Sequence, residues 1–163
     1  MIQIAVHPLY INGVGDRIGF IRLQDTPVGL LFAPDIHGVF QFGLMPGLHG
    51  FHVHERGALE PRWDGSKMIP GGMAGEHYDP EHTGSHRGPY GDGHRGDLPA
   101  LTVDQNGSII SPVVAPRLTL GEIMGRAVVV HVGGDNYTDH PPNGGGKMRV
   151  LGAVVVRSCP YCR

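Results

Sequence analysis

The chain has 163 residues and a mass of 17.5 kDa, enough for one core that needs no cross-links. A formal net charge of −2 with scattered basic residues argues against nucleic acid or a membrane surface as partner and leaves small molecules or ions. No apolar run reaches the length of a bilayer span, and Met1 leads into a strand pattern without a charged n-region and an apolar h-region. A soluble protein is expected, periplasmic or extracellular if a signal peptide has been removed and cytoplasmic otherwise.

In chain order, Ile2, Ile4 and Val6 alternate with polar or small residues, and similar short runs recur at 18–23, 28–33, 38–44, 108–114, 127–132 and 150–156. Period-two runs bounded by turn residues predict strands. The patterning overrides the low-complexity reading that Gly 27 and Pro 14 would otherwise permit. Residues 56–98 fit no strand or helix pattern, which in a compact domain marks a functional or disordered loop. Gln105-Asn106-Gly107, between Leu101–Val103 and Ile109-Ile110, predicts a hairpin of the Asn-Gly type. Leu118 to Met124, interrupted by Gly121, predicts a short helix or turn. About eight strands with Gly- and Pro-rich connections make the expected fold all-β, an antiparallel barrel or sandwich with long loops. Residues 1–157 read as one domain and 158–163 as a short tail.

Histidine is over-represented, with 11 residues against 5 Phe and 5 Tyr. Phe51-His52-Val53-His54 follows a Pro46-Gly47 turn, so two imidazoles emerge on one strand face, close enough to share a metal. Alone, such a pair is more often two exposed strand histidines.

The surrounding segments change that reading. Gly50-Phe51-His52-Val53-His54-Glu55 resembles the copper-site strand of Cu/Zn superoxide dismutases. Ala74-Gly75-Glu76-His77-Tyr78-Asp79-Pro80, Thr83-Gly84-Ser85-His86 and Gly93-His94-Arg95-Gly96-Asp97-Leu98-Pro99 are similar to the zinc loop of the bacterial form. Ala127 to His131, Gly133 to Asp139 and Gly144 to Arg149 resemble the last metal strand and the active-site loop after it. The resemblance implies a Greek-key β-barrel with copper on His52, His54, His77 and His131, and zinc on His77, His86, His94 and Asp97. It implies a dismutase that converts superoxide to dioxygen and hydrogen peroxide by Cu(II)/Cu(I) cycling, with His77 bridging both metals and donating a proton. Arg149 is then the arginine that attracts and orients the anion. Asp139 is the expected carboxylate linking the free ring nitrogens of His52 and His86. His49 is expected to be structural and bonded to backbone. His7, His37, His82 and His140 read as surface residues, and Lys147 as either a steering or a solvated charge. Both monomers and homodimers occur among prokaryotic relatives.

Two departures stand out. The usual intrasubunit disulfide has lost both cysteines, at Leu59 and Gly152. A bridge closing a loop of about ninety residues contributes roughly 4–5 kcal/mol, so Leu59 packing and zinc are expected to anchor the loop instead. The two cysteines present, Cys159 and Cys162, form a terminal Cys-Pro-Tyr-Cys with no helix behind it to activate a thiol. These features keep open an alternative, a copper-binding or copper-handling protein on the same fold with little dismutase turnover.

Overall fold

The alternation at the N-terminus becomes strand β1 (Ile2–Tyr10), which turns Ile2, Ile4 and Val6 into the core. The computed structural model describes residues 1–157, so the Cys159 and Cys162 pair, for which the sequence allows a small terminal disulfide, a copper-capturing thiol pair or an idle tail, lies outside the described residues. Next come β2 (Gly19–Thr26) and β3 (Gly29–Ile36), a hairpin in register from Gly19↔Ile36 to Thr26↔Gly29. Apart from two-residue strands, the others are β4 (Gly47–His49), β5 (Phe51–His54), β6 (Leu101–Val103), β7 (Val113–Ala115), β8 (Ala127–His131) and β9 (Arg149–Val154). One curled antiparallel sheet runs β7-β3-β2-β1-β9-β8-β5, so the last strand returns to lie beside the first; β4 pairs separately with β6. The regular secondary structure of the described residues is mostly β.

Two faces follow from the strand period. Phe51, Val53, Val128, Val130, Leu151 and Ala153 point into the main core, where the Phe51 ring meets Phe32 edge-on at 5.3 Å. The alternate residues point the other way. His52 and His54 do so on β5, and Ala127 and Val129 on β8 join a second cluster with Leu9, Leu59 and Ala74. Leu59 is 6% exposed, and a Cβ added at Gly152 would lie 2.8 Å from its Cδ2. The leucine thus occupies the space above a residue with no side chain. Burying it contributes about 1.5–3 kcal/mol, less than the absent bridge.

Three expectations need correction. Residues 38–44 are not a strand: Gly38 (φ 70) and Gly43 (φ 80) bracket a 3-10 turn at Val39–Phe42. The Asn-Gly turn exists, but its flanks do not pair with each other. Asp104 Oδ1 accepts from the amides of Asn106 (2.8 Å) and Ser108 (2.9 Å), while β6 pairs with β4 and Ile109 bridges to Ile36. Of 108–114, only the end pairs as a strand, Val113–Ala115 on β3. The helix forms as α1 (Leu120–Ile123), closed by a capping box between Thr119 and Glu122. Residues 56–98 hold only the Arg62–Trp63/Met68–Ile69 pair and a 3-10 turn at Gly72–Ala74.

Candidate metal centre

The free edge of β5 acts as a ruler for the long loop. His52 and His54 are fixed first, by pairing with Val129 and Ala127 of β8. On the other side, the Tyr78 amide donates to Val53 O (2.8 Å) and the Leu98 amide to Phe51 O (3.2 Å). The Val53 amide donates to Gly96 O (2.8 Å) and the Glu55 amide to Glu76 O (2.9 Å). These bonds set His77 opposite His54 and Asp97 opposite His52. Gly96 permits the approach, since a Cβ there would lie 2.4 Å from Val53 O. On β8, the register with β9 slips between Val130 and His131, a bulge that re-aims His131 beside Arg149.

Two buried donor groups result: His52, His54, His77 and His131, and His52, His77, His86 and Asp97, each with ligand atoms within 4.8 Å of one another. His94 stands against the second, its Nδ1 3.2 Å from Asp97 Oδ2. Asp97 Oδ1 lies 3.0 Å from His77 Nδ1, and its Oδ2 lies 2.9 Å from His86 Nδ1. The His52 and His77 rings stack with centroids 4.0 Å apart.

Hydrogen bonds decide the tautomers. A carbonyl only accepts, so His54 Nδ1–H donates to Gly75 O (2.9 Å) and His131 Nδ1–H to Lys147 O (3.0 Å). Their Nε2 atoms keep lone pairs. His52 Nε2–H donates to Asp135 Oδ2 (2.8 Å) and leaves Nδ1 free. The buried atoms without a hydrogen bond of adequate geometry include His52 Nδ1, His54 Nε2, His131 Nε2, and His86 Nδ1 and Asp97 Oδ2, which face each other at 2.9 Å without the alignment of a hydrogen bond. Groups left unsatisfied together, around two shared centres, fit cations rather than a packing fault. Mixed imidazole and carboxylate donors suit zinc, and an all-imidazole group suits copper.

Burial, and then the neighbouring His77, push the His52 and His54 imidazoles well below the ordinary histidine range. Burial likewise lowers His131, to about 3, with His77 and Arg149 acting in the same direction. These rings are neutral at pH 7 with lone pairs available. Burial also works against a charged His86, but the carboxylates of Asp135 and Asp97 overcome it and raise that ring to about 9. Burial opposes ionisation of Asp97 too, yet its three imidazole partners hold it well below the usual carboxylate range.

A family model described as copper/zinc superoxide dismutase (SODC) matches residues 19–155. The chain belongs to the copper/zinc superoxide dismutase family. It is 46% identical over 143 residues to the "Superoxide dismutase [Cu-Zn]" of Photobacterium leiognathi, covering 86% of this chain and 80% of that one. The Cu/Zn superoxide dismutase from Brucella abortus superposes with a TM-score of 0.88 at 42% identity, covering 94% and 97% of the two chains. The monomeric copper, zinc superoxide dismutase from Salmonella enterica gives a TM-score of 0.80 at 41% identity over 93% and 97%.

The expectation that Asp139 links the two rings does not hold. The carboxylate linking the two rings is Asp135, not Asp139. Asp135 Oδ2 lies 2.8 Å from His52 Nε2, and its Oδ1 lies 2.7 Å from His86 Nε2 and accepts from the Tyr137 amide at 2.9 Å. Asp139 accepts instead from the His86 amide at 2.8 Å, which fixes the loop backbone rather than a ring. The reason is reach. Gly133 is pinned on both sides, its carbonyl accepting from the Gly50 amide and its amide donating to Gly146 O, so the residue two positions on falls beside His52. The Gly133-Gly134-Asp135 run, one residue past β8, was the available signal. Arg149 donates to Gly71 O (2.9 Å) and Gly75 O (2.7 Å), both on the long loop. His49 is held by carbonyls, with Nε2 2.7 Å from Met45 O and Nδ1 3.1 Å from Val132 O. Lys147 is exposed and contributes its carbonyl to His131. His37 lies between Asp35 (2.7 Å) and Ser108 (2.9 Å), and His7 bonds Gly15 O (2.9 Å).

Proposed function

We propose that the chain is a superoxide dismutase, with copper held by His52, His54, His77 and His131 and zinc by His77, His86, His94 and Asp97. The observation that carries this reading is the membership of His77 in both donor groups, with Nδ1 toward Asp97 and the ring stacked on His52. His52 also falls in both groups, but Asp135 occupies its Nε2, so only Nδ1 remains and it serves the first. His94 completes the second.

Copper at the first group supplies the one-electron exchange with superoxide, and zinc at the second a fixed positive charge. The chain does the rest. Asp135, Gly75 O and Lys147 O orient the rings, so each lone pair points inward before any ion arrives. Arg149, half-buried and doubly anchored, provides the local positive field that a net charge of −2 cannot. When protonated on Nε2, His77 would give one of the two protons that superoxide takes up on becoming hydrogen peroxide, the other coming from water, while Nδ1 stays on the Asp97 side.

Superoxide removal by protein loaded with both metals tests the proposal. The expected result is fast turnover that His54→Ala abolishes. Loaded wild type performing no better than His54→Ala, or than copper buffered to the same free concentration, would leave only the copper-handling reading. Sedimentation velocity of the same sample separates monomer from homodimer.

A further inference from the structure

We propose that Leu59 is the positioning residue for Arg149, acting as a fastener indifferent to redox state where the family resemblance places a disulfide. The inference rests on the assignment of Arg149 to the anion site.

Three observations meet at this place. The guanidinium has two hydrogen-bond partners, Gly71 O and Gly75 O, and neither belongs to the sheet that carries Arg149. Its position therefore depends on where the 56–75 stretch lies. The Gly75 end of that stretch is held to the β5 edge by the Arg56 amide on Ala74 O (2.9 Å) and the Glu55 amide on Glu76 O (2.9 Å), and the rest is held to the sheet by Leu59 and Ala74, which cluster with Leu9 of β1 and with Ala127 and Val129 of β8. Ala74 sits between the two carbonyl-bearing glycines, so the apolar contact and the Arg149 contact share one short piece of backbone.

The complementarity is local. Gly152 is on β9, three residues after Arg149, and a Cβ there would lie 2.8 Å from Leu59 Cδ2 and 3.2 Å from Leu9 Cδ1. Gly71 comes against the same leucine of β1: at φ 64, a Cβ would lie 2.8 Å from Leu9 Cδ1. A large side chain on the loop and a missing one on the strand make a knob and a hole. No bond in it is reducible. Leu59 and Gly152 together therefore perform the geometric task of a cross-link without its dependence on an oxidising compartment.

Reaction of Arg149 with phenylglyoxal, located and quantified by peptide mass spectrometry on copper- and zinc-loaded protein, tests this independently of turnover. In wild type the labelling rate is expected to be low and identical with and without tris(2-carboxyethyl)phosphine. Leu59→Ala should label at least tenfold faster, with Gly71–Gly75 exchanging amide hydrogen faster, while Leu59→Met stays near wild type. The double variant L59C/G152C should label slowly when oxidised and fast when reduced. Leu59→Ala should also lose about tenfold in the rate of superoxide removal at low ionic strength. If Leu59→Ala fails to fold, Leu59→Val and the double-cysteine pair carry the test. Labelling unchanged by removal of Leu59, or a wild type that becomes reactive on reduction, overturns the proposal. Inactive wild type with Leu59-dependent labelling would overturn the dismutase reading and leave the fastener standing.

Discussion

Replacing Asp135 by Asn separates the two carboxylates of the active-site loop. The side chains of Asp135 and of both its ring partners are fully buried, and its two oxygens accept from two different imidazoles. An asparagine offers one acceptor oxygen and one NH2, so only His52 or His86 keeps its partner. The other ring then has a buried N–H facing a donor, at about 1–3 kcal/mol. At 1.4 kcal/mol per factor of ten, metal affinity should fall about 10–100-fold, the range typical of groups that orient metal-binding imidazoles. Chelator competition for zinc and for copper at fixed pH measures this. The control is Asp139→Asn: its side-chain oxygen can still accept from the His86 amide, so zinc affinity should stay within about threefold of wild type. Asp139→Asn releasing zinc more readily than Asp135→Asn, or Asp135→Asn leaving both affinities unchanged, would refute the assignment of Asp135 as the link.

Arg149→Ala should slow superoxide removal about 10–100-fold at low ionic strength and flatten its salt dependence, read by pulse radiolysis across a salt series; an unchanged slope would show that Arg149 does not steer. Glu76 is exposed and lines both a cavity of about 490 Å³ beside His77 and His94 and one of about 320 Å³ beside Arg149. Its charge opposes the incoming anion, so Glu76→Gln should raise the rate two- to threefold in low salt and have no effect once salt screens it. Asp97→Ala removes the oxygens facing His77, His86 and His94, and should weaken zinc far more than copper while speeding proteolysis within 56–98. An unchanged digestion pattern would mean that zinc does not order the loop.

The legible part of this chain was the part governed by strand period. Ile2, Ile4 and Val6 point inward as their alternation requires, and His52 and His54 share a face for the same reason. Residues 38–44 misled because their apolar residues mimic a strand, whereas the two flanking left-handed glycines bend the chain into a turn. The Asn-Gly signal fixed a turn but not its partners, since Leu101–Val103 finds a better edge on β4, a contact between segments some fifty residues apart. The loop ligands were legible only through resemblance. Their placement depends on backbone bonds to Val53 and Phe51, which leave no mark on side-chain pattern. Asp135 and Asp139 are both acidic and four residues apart, and only the pinning of Gly133 decides which one reaches the rings.

The two halves of the centre are built by different means, and their dependence on metal should differ accordingly. The first donor group takes His52, His54 and His131 from paired strands, whose order is maintained by the main core whether or not an ion is present. The second takes His86, His94 and Asp97 from the long loop. Asp97 follows the β5 edge, but His86 is fixed through Asp139 and Asp135, and His94 through its carbonyl, which accepts from Arg117 at 2.7 Å. Arg95 extends this bracing to Glu122 of α1 at 2.8 Å. The arginine contacts are partly exposed and individually modest, whereas the Asp135 contact to His86 is buried. His77 joins the halves, because its backbone belongs to the β5 edge while its Nδ1 faces Asp97. The strand half can thus be preformed, whereas the loop half gains most from the ion it binds. A residue that fastens the loop without metal or disulfide, as Leu59 does, matters most where both of those supports are weakest.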